Sequence, residues 1–179
     1  MSRCALETPR RACRARVRAC DFCLYSHAIV YERGVTKVKK SALLEAPLEV
    51  AYKVVADVER YPEFLPGCHT VEIRKCEEDV VEAKVTVQGS GMTHAFVTTN
   101  TNESKSIKMV LKEGPFKRLV GAWSFKAIGD LGCRVEIEID YELAGGLDLM
   151  LGGLVRPLTN KMVDAFSHRI EEAASDETH

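Results

Sequence analysis

A chain can do chemistry where it sets a nucleophile beside a base, gathers metal ligands, or poises two carboxylates differently. Candidates for each pattern exist here, and each reads more plainly as structure. His69 and His94 lie 25 residues apart at the starts of two predicted strands. Neither has a Cys or His at ligand spacing, so both read as surface or hydrogen-bonded strand histidines. Asp57 and Glu59 flank Val58 on different faces of a helix end and are expected to be solvated. Glu136, Glu138, Asp140 and Glu142 alternate with apolar residues and so share the water-facing side of a strand. Gly89-Ser90-Gly91 is too short for a phosphate loop and lacks the Lys-Ser/Thr that would follow. Cys13, Cys20, Cys23 and His27 offer part of a zinc set, with Cys20 and Cys23 at a usual spacing, but the second half of a finger is missing. The expectation is a protein with no catalytic residues, no metal and no required cofactor.

These residues are carried by two unlike segments. The 179 residues are 46% hydrophobic and 28% charged, with a formal net charge of −1. Residues 1–36 hold seven Arg against Glu7, Asp21 and Glu32, a net of +4, whereas residues 37–179 carry −5. Cys4, Cys13, Cys20 and Cys23 also crowd into the first segment, leaving Cys68, Cys76 and Cys133 well spaced in the rest. Spaced single thiols suit a reducing compartment. The opening MSRCALETPRRACRARVRACDFC has no apolar run behind its arginines, so it is not a secretory signal. It is Arg-rich and acid-poor like a mitochondrial transit peptide, yet poor in Ser and rich in Cys. Residues 1–36 are therefore expected to be a disordered leader foreign to the working protein, with VTKVKKSAL at Val35 resembling a natural start. The remainder suits one domain, and no stretch reaches the ~18 apolar residues of a membrane-spanning helix.

Within residues 37–179 the elements follow from periodicity. Val38–Leu44 reads as a strand, ended by Glu45-Ala46-Pro47. Pro47 suits a helix start, and Leu48 to about Val58 puts Val50, Val54, Val55 and Val58 on one face. Pro62 and Pro66 rule out a long helix across Glu59–Cys68, leaving Tyr61, Phe64 and Leu65 in an exposed-looking turn. Strands are predicted at 69–76, 80–88, 93–100, 106–112, 116–127 and 133–143. The last is the clearest, with Val135, Ile137, Ile139, Tyr141 and Leu143 on one side and acids on the other. One wet face implies an antiparallel sheet. Leu147, Leu151, Leu154, Val155, Leu158, Met162, Phe166 and Ile170 recur at helical spacing, and Gly152, Gly153 and Pro157 are expected to bend or open that helix.

Four motifs occur in order: KKSALLEAPLEVAYKVVADVERYPEFLPGC from Lys39, TTNT at 98–101, GPFKRLVGAWSF at 114–125 and MVDAFSHR at 162–169. With them, residues 37 to about 174 resemble the coenzyme-Q-binding START-domain family of the polyketide cyclase-like superfamily, and residues 175–179 are left as a tail. Bacterial members of that family include the ribosome-association toxin RatA. The resemblance implies an α+β helix-grip fold, in which a curved antiparallel sheet wraps a long C-terminal helix around a hydrophobic tunnel. It implies a lining of Phe96, Trp123 and Phe125 from the sheet and Leu151, Val155, Leu158, Met162 and Phe166 from the helix. Tyr61, Phe64, Leu65 and Pro66 would form an apolar flap over the mouth or against a bilayer. The implied ligand is ubiquinone or a related isoprenoid quinone, each buried CH₂-sized group adding about 0.8 kcal/mol. Cyclase chemistry does not follow from fold alone.

Two functions are implied: a non-catalytic quinone carrier that supports respiration, or a toxin that binds the large ribosomal subunit and blocks subunit association. A ribosome binder needs a basic face. The −5 of residues 37–179, with basic clusters at Lys37-Lys39-Lys40 and Lys117-Arg118, favours the quinone carrier and gives no case for DNA. The expected location is the bacterial cytoplasm with transient contact at the inner membrane, or the mitochondrion if the leader acts as a transit peptide.

Overall fold

The alternating strands and the apolar C-terminal stripe solve each other's problem, since each covers the other's dry face. The computed structural model describes residues 27–32, 35–89, 92–129, 132–144 and 147–176, with backbone alone for 27–32, 89 and 147–160. In chain order the elements are β1 (His27–Glu32), β2 (Val35–Leu44), α1 (Leu48–Ala56), a 3-10 turn (Val58–Arg60), α2 (Tyr61–Phe64), β3 (Cys68–Glu77), β4 (Val80–Gly89), β5 (Met92–Glu103), β6 (Ser106–Glu113), β7 (Phe116–Ile128), β8 (Gly132–Leu143) and α3 (Leu147–Asp176). The strands form one antiparallel sheet in the order β1-β2-β8-β7-β6-β5-β4-β3. From β3 to β8 every strand pairs with its successor, and β2 joins the far side of β8. The curved sheet and C-terminal helix make the helix-grip fold that the residues imply.

β8 shows how the sequence sets the layers. Cys133, Val135, Ile137, Ile139, Tyr141 and Leu143 are all buried, while Arg134 and Glu138 between them are exposed. β2 pairs Val38 with Ile139, Ala42 with Val135 and Leu44 with Cys133, which continues the dry face across the seam. Val163, Phe166 and Ile170 of α3 are buried against it.

Three expectations are corrected. A strand, β1, lies inside the segment expected to be a disordered leader, and the expected boundary at residue 37 falls within β2. His-Ala-Ile-Val-Tyr-Glu contains a β-branched and aromatic run, and Glu32 registers with Val35 as the two strands turn back on each other. Cys4, Cys13, Cys20 and Cys23 lie outside the described residues, so the zinc and transit readings do too. The first helix stops at Ala56, because Asp57 (φ −82°, ψ 75°) leaves helical geometry and Val58–Arg60 continues as a 3-10 turn. Lastly, α3 stays helical through Gly152, Gly153 and Pro157 without opening and runs to Asp176, into the expected tail.

Candidate functional site

The side chains expected to line a tunnel form two aromatic groups. Trp123 and Phe125 project inward from β7, and Phe166 of α3, 2% exposed, stands edge-on to Trp123 at 4.8 Å. Tyr61 and Phe64 approach the same ring at 5.1 and 5.2 Å and each other at 5.9 Å. Phe125 meets Tyr52 of α1 at 5.4 Å. Phe96 belongs to the second group, edge-on to Phe116 at 5.7 Å, which in turn faces Tyr141 at 6.3 Å. Met162 is half-buried against the core. Leu151, Val155 and Leu158 lie on α3, but their side chains are outside the described residues.

The apolar turn is therefore not exposed as expected. Tyr61 and Phe64 are three apart on one helical turn, which aims both rings at Phe166, and Leu65 is buried. Pro66 alone of the four is exposed. The Tyr61 hydroxyl donates to the Val55 carbonyl at 2.5 Å, and burial holds its pKa far above the ordinary phenol value. A cavity of about 10 Å³ remains among Lys40, Ala42, Trp123, Val135, Phe166 and Ser167, barely room for one water. A larger cleft of about 180 Å³ lies outside the grip, with Val50, Val54, Phe64 and Ala173 as its apolar walls and Lys53, Asp57, Arg60 and Arg169 at its polar ones.

The inner face also carries polar groups that the sequence reading missed. Lys40, taken as part of a surface basic cluster, points inward and is 3% exposed. The signal was present: Val38, Lys40, Ala42 and Leu44 share one strand face. Burial lowers the Lys40 pKa, and the Asp164 carboxylate partly offsets this. Asn100, within TTNT, is 7% exposed, and its Oδ1 is buried with no hydrogen-bond partner. Thr98, on the same face two residues earlier, is 1% exposed. His94 also departs from expectation, since its Nε2 is buried and unpartnered rather than solvated or hydrogen-bonded. His69 is exposed as a surface strand histidine should be. No His/Cys/Asp/Glu group able to hold a metal occurs among the described residues.

The outward face of the sheet is a lattice of exposed ion pairs. Lys39 bonds Glu138, Lys117 bonds Glu142 at 2.8 Å, Arg74 bonds Glu113 at 3.1 Å, and Lys84 lies 3.5 Å from Glu72. Such pairs add little to stability and keep a broad sheet face soluble. Surplus acid sits elsewhere: residues 45–67, from the end of β2 through α2, carry −3, and Glu77-Glu78-Asp79 fill the β3–β4 turn.

Comparison with known proteins places this architecture. The family described as polyketide cyclase / dehydrase and lipid transport matches residues 44–170. The ribosome association toxin RatA of Pseudomonas aeruginosa is 37% identical over 139 residues, covering 76% of this chain and 96% of the relative. A mitochondrial coenzyme Q-binding protein of Dictyostelium discoideum is 34% identical over 87 residues, covering 46% of this chain and 42% of that one. Among solved structures, a START superfamily protein from Mycobacterium smegmatis superposes with TM-score 0.64 at 19% identity, over 78% of this chain and 97% of that one. An aromatase/cyclase from Streptomyces superposes with TM-score 0.61 at 19% identity, over 80% and 93%. At these identities the structural likenesses speak for the fold alone.

Proposed function

The chain belongs to the polyketide cyclase / dehydrase and lipid transport family, and on that premise we propose that it is a ribosome-associating protein of the RatA type. In this reading it binds the large ribosomal subunit and hinders subunit association. The observation that carries the reading is the extent of the match, 37% identity across 96% of a ribosome association toxin. The coenzyme Q-binding relative, by contrast, is matched over less than half its length. This reverses the preference drawn from net charge. A −5 domain argues against RNA only if its charge is evenly spread, and here residues 45–67 and the β3–β4 turn hold much of the acid, away from the outer sheet face. In this reading the protein acts by binding. Among the described residues no helix is long and apolar enough to cross a membrane.

Co-sedimentation tests the proposal. The full chain mixed with purified large subunits at moderate salt is expected to pellet with them, and protein left wholly in the supernatant would sink it.

One observation favours a second activity in the same fold. An amide oxygen buried without a donor, as at Asn100, costs about 1–3 kcal/mol unless a ligand supplies one. A quinone's reduced, hydroxyl-bearing form would do so. Organic extraction of protein purified from its native host, followed by mass spectrometry, is expected to yield a quinone on this reading. An empty protein after mild purification would remove it. Asn100→Leu would then lower quinone retention while leaving a folded protein.

A further inference from the structure

The outer sheet face carries one arrangement that its ion-pair lattice does not explain. Lys126 of β7 registers directly opposite Arg134 of β8, and alternation turns both side chains outward. Like charges in directly opposed cross-strand positions repel and weaken a sheet. Arg134 has only a long contact to relieve this, 3.9 Å to Glu136. Lys126 has no ion pair among the described residues. A third cation joins them: the Lys105 carbonyl accepts from the Phe125 amide at 3.0 Å, which holds the exposed β5–β6 turn beside the same end of β7. Next to Lys126 on the outward side, Ser124 is exposed and registers with Ser106 of β6. The result is an outward-facing pair of cations at the end of β7–β8, flanked by Ser124 and the Glu136 with which it registers, with the Lys105 turn at the same end.

We infer that this end of β7–β8, with the adjoining β5–β6 turn, is where the protein docks on the phosphate backbone of ribosomal RNA; the inference rests on the ribosome-associating reading. A phosphate placed between Lys126 and Arg134 converts their repulsion into paired charge, and Ser124 adds a neutral donor. Leu43, which registers with Arg134, and Ile128, two residues beyond Lys126 on the same strand face, are exposed apolar side chains that border the pair, so a protein contact is the competing outcome of the test.

The test is co-sedimentation of the full chain with purified large subunits across a salt series, for wild type, Lys126→Glu, Lys126→Glu/Arg134→Glu and the control Lys161→Glu on α3. The double variant is expected to bind at least tenfold more weakly near 0.1 M salt. Its slope of log affinity against log salt should be shallower by about 1.5, since each lost phosphate contact removes about 0.7–0.9. The control should match wild type. Lys126→Glu alone puts opposite charges across the strand pair, so its Tm should be no lower than wild type even as binding falls, which separates lost docking from lost folding. If wild type pellets and the double variant pellets equally well, the docking face is overturned and the ribosome reading stands. Weaker binding with an unchanged salt slope would point to a protein contact and overturn it too. If wild type fails to pellet at all, the ribosome reading fails and the docking face with it.

Discussion

Lys40 is the residue whose placement most repays attention to sign. It occupies a position that Val38, Ala42 and Leu44 mark as interior, and burial lowers its pKa against the partial help of Asp164. The folded protein thus holds this proton less tightly than the unfolded chain does. Stability from this group is penalised below the folded pKa and recovers as pH rises toward the unfolded value of about 10.4. Lys40→Met should therefore stabilise the protein by roughly 1 kcal/mol at neutral pH. That advantage should shrink through the alkaline range. Urea unfolding of both proteins at neutral and alkaline pH measures this, and an advantage of the same size at both would contradict it. The alternation of β2 was legible in the sequence, but reading Lys37, Lys39 and Lys40 as one basic cluster overlooked that adjacent strand residues face opposite ways. Asn100 was harder to foresee. A polar residue among TTNT gives no sign of burial without knowing which strand lies against which.

At the scale of elements, the succession of strands along the chain was legible because β8 and β4 alternate and because glycine, proline or acidic turns separate the hairpins. The apolar turn was misjudged for a different reason. Tyr61 and Phe64 look superfluous in a proline-framed segment, and only the approach of Phe166, about 100 residues away in sequence, shows what they pack against. Phe166 joins α2, α3 and β7 in one cluster, so Phe166→Ala should cost about 3–5 kcal/mol, visible as a large fall in the urea midpoint. The β6–β7 connection is equally constrained. Gly114 adopts φ +149°, and a Cβ there would lie 2.6 Å from Cβ of Phe96. Gly114→Ala should destabilise by about 1–3 kcal/mol through backbone strain and displacement of Phe96, and unchanged thermal unfolding would show that the hairpin can relax. The N-terminal strand β1 escaped the sequence reading because the composition of the preceding arginine-rich stretch was extended over it, although HAIVYE is a strand-forming run in its own right.

For the whole molecule, a single net charge proved a poor guide, since it sums a basic, cysteine-rich first segment, an acidic helical corner and a sheet face of mixed sign. Where side chains are described, the gap beneath Trp123 and Phe166 is only about 10 Å³, and the two rings close it edge-on. A protein that binds one ribosomal subunit and hinders its joining should act at stoichiometric amounts and without turnover. The direct measurement is a sucrose gradient of purified small and large subunits brought to associating magnesium, with the protein added at zero to a few equivalents. The account predicts that coupled ribosomes fall in proportion to added protein while free subunits rise and the protein runs with the large-subunit peak. Full coupling at every ratio, with the protein remaining at the top of the gradient, would contradict it.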